Sequence, residues 1–164
     1  MKSYNNIRLS MTNNNLAEVF CSAAPSQEDW LKRRDEFMGF GLKFHNLERP
    51  DAVPERFKTF ERELERCYCS RAYIACVVIA ASIQESCVMF QRSVNTHKDV
   101  AKFLEYIDED IKWLRETRNK YMHAGKKQNE MSLEYFVDER DQLESDARRA
   151  AATIYHIARA MTKF

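Results

Sequence analysis

Between Arg118 and His123 the chain reads Arg-Asn-Lys-Tyr-Met-His, which sets a permanent cation, an amide and an imidazole within about one and a half turns of helix. A guanidinium keeps its charge at every accessible pH, so it can stabilise an anion that gains charge during a reaction. An imidazole takes and gives protons near neutrality. Asn119 and His123 are four residues apart and share a helix face, so the amide can reach the ring. Arg118 and His123 are five apart, a rotation of roughly 140° and a rise of roughly 7.5 Å, and within one helix they do not point together. His123 falls in a last helical turn, where the negative end of the macrodipole favours the protonated ring.

Charge gathers around the same run. From Lys112 to Lys127 there are six cations (Lys112, Arg115, Arg118, Lys120, Lys126 and Lys127) and one acid, Glu116, whereas the whole chain carries a formal charge of only +1. A local basic patch beside a histidine suits an RNA phosphate, and the near-neutral total excludes a polyanion-binding tail. No set of carboxylates and histidines at metal-ligand spacing adjoins the patch, so no metal and no other cofactor is expected. RNA's own 2′-hydroxyl is then the natural attacker at phosphorus. Such cleavage needs one group to take a proton and another to give one. A single chain supplies one histidine in the patch, so a second copy facing it would complete the set.

The element that positions these residues is a striped helix. Val100, Leu104, Ile107, Ile111, Leu114, Arg118 and Tyr121 follow one another at three- and four-residue steps, which predicts one amphipathic helix from Asp99 to Met122, stopped by Gly125. Arg118 occupies an apolar register position, and a cation on a packed face needs an anionic partner. Glu85 is the candidate. It is the sole charged residue from Ala72 to Phe90, and a lone carboxylate in a buried helix must also be paired.

The remaining chain reads as further helices. With 164 residues, three glycines and three prolines, it is expected to be one all-α chain with an up-and-down bundle core. Ser26-Gln27-Glu28-Asp29 resembles a capping box and opens a helix with Trp30, Leu31, Phe37 and Met38 on one side, weakened at Gly39 and Gly41. A long helix follows Pro54, charged and mixed to Arg66 and apolar nearly all round to Phe90, which suits the middle of a bundle. Its unbroken apolar part, Ala72 to Ala81, is too short to span a bilayer before Ser82, Gln84, Glu85 and Ser86 intervene. Residues 132–137 form a short connector, and a last helix over about 138–162 carries Leu143, Ala147, Ala150, Ile154, Ile157 and Met161 on one face.

Other chemistry-bearing residues have plainer expected roles. Five cysteines, an odd count with no C-x-x-C pair, are expected as reduced, buried thiols in a cytoplasmic protein without a signal peptide. His45, His97 and His156 are expected to be structural or exposed, Trp30 and Trp113 to anchor packing, and Arg33-Arg34 to form a solvated face.

The run Leu114-Arg115-Glu116-Thr117-Arg118-Asn119-Lys120-Tyr121-Met122-His123-Ala124-Gly125 resembles the signature of the HEPN (higher eukaryotes and prokaryotes nucleotide-binding) superfamily. That signature is an Arg, four to six residues, then a His, with a polar residue after the Arg. Here four residues intervene and Asn119 is the polar neighbour. The resemblance covers about residues 54–164. It implies a HEPN-like helical bundle over residues 51–164; residues 1–50, which the resemblance does not cover, read as an N-terminal helical extension.

The family likeness also implies a metal-independent endoribonuclease, homodimeric, whose Arg and His groups line a cleft between two copies. Carried over by position, Arg118 would stabilise the phosphorane, His123 would move protons and Asn119 would support them. Arg115, Lys120, Lys126 and Lys127 would hold RNA, and Glu85 would support Arg118. Bacterial stress response or phage defence is the implied setting, with an antitoxin or other defence protein as a further partner and no membrane. Some HEPN toxins carry a modifiable Tyr two residues after the motif His; Gly125 stands there, so that control is not expected. Two other readings stay open: a bundle that holds RNA or a nucleotide without cutting it, and a purely structural dimerising bundle.

Overall fold

The computed structural model describes residues 25–45, 53–122 and 139–164, and among these the chain forms six helices and no strand. We label them α1 (Gln27–His45), α2 (Glu55–Cys69), α3 (Tyr73–Val94), α4 (His97–Tyr106), α5 (Asp108–Met122) and α6 (Arg140–Met161). The fold is an all-α bundle. Cross-helix contacts give the directions. Tyr73 meets Glu144 and Gln91 meets Met161, so α3 and α6 run parallel. Glu61 meets Tyr155 and Glu36 meets both Tyr68 and Arg148, so α2 runs against α6 and α1 runs with it. Asp110 meets His156 and Tyr121 meets Asp146, so α5 also opposes α6. The sequence of directions is up, down, up, down, up, with α4 and α5 sharing one descent.

The core follows from apolar stripes. Every member of the α6 stripe (Leu143, Ala147, Ala150, Ile154, Ile157 and Met161) is buried. Its small residues allow close approach to α3, its most extensive neighbour. The hydropathy of α3 is high enough, 1.7 over its most apolar window, that by length and composition it passes as a membrane span. The polar residues after Ala81 therefore do not interrupt it: α3 continues as one helix to Val94, with Gln84 and Gln91 buried. Half of that window lies inside the protein, packed against α2, α5 and α6.

Ser26 caps α1 as its sequence implies, accepting from the Asp29 N–H at 3.1 Å. The buried face of α1 differs from the expected one. Phe37, Phe40 and Phe44 point inward and join Tyr68, Phe57 and Tyr155 in edge-to-face and tilted ring contacts, while Leu31 and Met38 face outward. The helix continues through Gly39 and Gly41 to His45. Arg33 also turns inward, against the expectation of a solvated Arg33-Arg34 face.

Two expected helices are each divided. The long helix after Pro54 breaks at Ser70–Ala72. The Ala72 N–H bonds the Cys67 carbonyl and the Arg71 N–H bonds that of Tyr68, with Arg71 at φ 61°, the pattern of a Schellman C-cap. Glycine normally marks that left-handed position; here arginine fills it, and its side chain donates to Asp29 at 3.1 Å. The stripe from Val100 to Tyr121 breaks at Ile107, whose backbone leaves helical geometry at φ −110°, ψ 13° while its side chain stays fully buried.

Candidate functional site

The last two turns of α5 carry the motif. The buried face of this helix is Leu114, Thr117 and Tyr121, so threonine takes the inward position that the stripe assigned to Arg118. Arg118 is rotated to the edge beside α3. Its Nη1 donates to Glu85 Oε1 at 3.2 Å, with the arginine side chain 38% exposed and the glutamate 60% exposed. The expected partner is thus present, but neither member is buried as the sequence pattern implied. A pair this wet contributes only about 0–1 kcal/mol to stability. It aims the guanidinium without sealing it from solvent.

The neighbours are open as well. Arg115, Asn119 and Lys120 are exposed, and the Lys120 ammonium lies 5.2 Å from the Tyr121 ring centre. Lys112 is also exposed, as is the acid Glu116. His123, Lys126 and Lys127 lie outside the described residues, as do the expected Gly125 stop and the 132–137 connector. Of the sequence-derived set the structure brings Arg118 and Glu85 into contact, while Arg115, Asn119 and Lys120 lie exposed on the same helix.

α5 is held against α6 by polar and aromatic contacts. Tyr121 Oη donates to Asp146 Oδ2 at 2.5 Å, and Asp146 Oδ1 accepts from Gln142 Nε2 at 2.9 Å. The Arg149 guanidinium sits 4.1 Å from the centre of the Trp113 ring. At the far end His156 Nδ1 lies 2.6 Å from Asp110 Oδ2, with Tyr106 beside the imidazole. Asp146 was not singled out by sequence, yet the signal existed. It stands on the α6 apolar face, three residues from Leu143 and four from Ala150, where an acid breaks the pattern as Arg118 does on α5.

A second ionic cluster lies away from the motif. Arg33 Nη2 donates to Glu144 Oε1 at 2.5 Å and to Tyr73 Oη at 3.2 Å, and Tyr73 Oη donates to Glu144 Oε2 at 2.8 Å. The guanidinium carbon is also 5.7 and 5.6 Å from the centres of the Tyr68 and Tyr73 rings. Burial works to raise the Glu144 pKa, but the hydrogen bonds from Tyr73 and Arg33 outweigh it and leave the carboxyl below its ordinary value.

The thiols show the opposite balance. Burial raises Cys69 to about 11 and Cys87 to about 12 and also lifts Cys67 and Cys76, so these four are unreactive free thiols. Among the described residues no three His, Cys, Asp or Glu side chains converge as metal ligands.

Comparison of the chain with protein-family models, with curated proteins and with solved structures finds no match.

Proposed function

We propose that this protein is a metal-independent endoribonuclease of the HEPN kind that cuts RNA at a site shared by two copies of the chain. The observation that carries the reading is the setting of Arg118. Its guanidinium is oriented by Glu85 and stays accessible to solvent, and Arg115, Asn119 and Lys120 are exposed on the same helix, which leads to His123. Arg33, by contrast, is an arginine that the bundle encloses. One oriented at one nitrogen keeps other N–H donors for a phosphate.

In the proposed reaction a base takes the ribose 2′-hydroxyl proton, and the oxygen attacks the adjacent phosphorus. Arg118 stabilises the charge that builds on the phosphorane. The bond to the 5′-oxygen breaks as an acid returns a proton to it. The products are a 2′,3′-cyclic phosphate and a 5′-hydroxyl. His123 performs one proton transfer and its counterpart from the second copy performs the other. The proposed setting is cytoplasmic stress response or phage defence, with an antitoxin or other defence protein as a further partner.

The test is incubation of the protein with single-stranded RNA in EDTA. We expect cleavage with cyclic phosphate ends, and we expect His123→Ala to bind RNA without cutting it. If wild type and variant bind alike and neither cuts, the protein is an RNA-holding module. If neither binds and both still dimerise, it is a structural bundle.

A further inference from the structure

The motif helix ends in a buried polar bond that nothing in the packing of an apolar core requires. Tyr121 is 3% exposed and Asp146 9% exposed, and the Tyr121 hydroxyl meets one oxygen of the carboxylate while Gln142 holds the other. Around them α6 is apolar, with Leu143, Ala147 and Ala150 on the same face. A buried carboxylate costs free energy unless its oxygens are bonded, and apolar residues of similar size serve stability as well. What a hydrogen bond adds is direction: it is satisfied at one rotation and one height of the helix, whereas apolar contacts tolerate sliding.

The place of this bond along the chain gives it a use. Tyr121 follows Arg118, Asn119 and Lys120 within a single turn, and it is the last buried residue of α5. Holding the phenol hydroxyl fixes the azimuth of that turn, and with it the direction of the Arg118 guanidinium toward Glu85. At the other end of α5, Asp110 and His156 make a second attachment to α6 at 2.6 Å. Two attachments set both rotation and height, and the enclosed one lies at the end with the motif.

We propose that Tyr121 and Asp146 are positioning residues for the candidate site: their bond sets the geometry of Arg118, and neither residue touches the substrate. This rests on the ribonuclease reading above. It makes that reading more specific, because the site then depends on a residue of α6 as well as on the motif.

The experiment compares full-length wild type with Tyr121→Phe and Asp146→Asn. Tyr121→Phe keeps the packed ring and removes the bond, whereas Asp146→Asn keeps an oxygen that accepts from the Tyr121 hydroxyl. We expect Tyr121→Phe to lower kcat for RNA cleavage by about tenfold with KM changed less than about twofold, the signature of lost alignment and not of lost binding. Amide hydrogen exchange should quicken over residues 118–122 and stay as in wild type over residues 108–114. Asp146→Asn should retain kcat within about threefold of wild type.

Wild-type kcat in Tyr121→Phe overturns the proposal. So does a loss of kcat accompanied by uniformly faster exchange along α5, which would mark general destabilisation. If wild type does not cut RNA at all, the ribonuclease reading falls and exchange alone decides the rest: quickening confined to residues 118–122 keeps the lock on the motif turn, and unchanged or uniform exchange removes it.

Discussion

Two Arg–Glu pairs in this protein use the same functional groups for different ends. Arg33 and Glu144 meet at 2.5 Å with side chains 11% and 29% exposed, share the Tyr73 hydroxyl, and lie against two tyrosine rings. Arg118 and Glu85 meet at 3.2 Å on an open surface. The first pair joins three helices, α1, α3 and α6, and its charges are enclosed by the bundle. The second joins α5 to α3 and leaves its cation facing water. An enclosed ion pair with many partners is committed to the fold, because removing one member strands the other. An exposed pair with one bond contributes little to folding, and so its arginine is free to meet a ligand at small energetic cost.

The largest effect should separate function from stability at Arg118. Arg118→Ala is expected to lower RNA cleavage by about 10²–10³-fold, the scale of losing a donor aimed at developing charge. Its unfolding free energy should stay within about 1 kcal/mol of wild type in urea titration. Loss of several kcal/mol there would place Arg118 with Arg33 as a fold residue and erase the contrast.

The reverse is expected at Glu144. Glu144→Ala strands a mostly enclosed Arg33 and should cost roughly 2–3 kcal/mol, read in the same titration. Acid gives an independent check. Because the Glu144 carboxyl in the folded protein lies below its ordinary value of 4.5, its contribution is present above that value and is lost as pH falls through the lower, folded one. The stability advantage of wild type over Glu144→Gln should therefore shrink as pH drops below about 4.5. An advantage that persists unchanged in acid would show that the ion pair does not supply it.

The smallest effect sharpens the surface pair. Glu85→Gln should change stability by less than about 0.5 kcal/mol and tighten RNA binding about two- to threefold at low salt, since it removes the carboxylate paired with the Arg118 cation. Weaker binding would mean that the carboxylate's orienting role outweighs its charge.

How far these features were legible depends on the range of the interactions that make them. The α6 stripe and the Ser26 cap are local patterns, and both appear as their spacing implies. The division at Arg71 has no local mark, since an arginine holds the left-handed position where glycine is the usual sign. The break at Ile107 is equally silent, because Ile107 stays in the apolar register on both sides of it. Beyond it Thr117 faces inward and Arg118 lies at the edge. The side chain that seemed to violate the core thus ended half-exposed, although its partnership with Glu85 was inferable from two odd charges on apolar helices. Arg33 shows the converse. Beside Arg34 in a charged stretch it resembles surface, and only Tyr68, Tyr73 and Glu144, which come to it from three other helices, make an enclosed position affordable.

The amino-acid sequence by itself determined the all-α class, the Ser26 cap, the α6 stripe and the concentration of cations around an Arg–Asn–His run, because these depend on composition and on contacts within a few residues. Only the tertiary structure decided which charged side chains are enclosed and which stay wet. That choice depends on the rotation of each helix against its neighbours, and rotation is set by side chains far apart in the chain, as Tyr121 and Asp146 show across 25 residues.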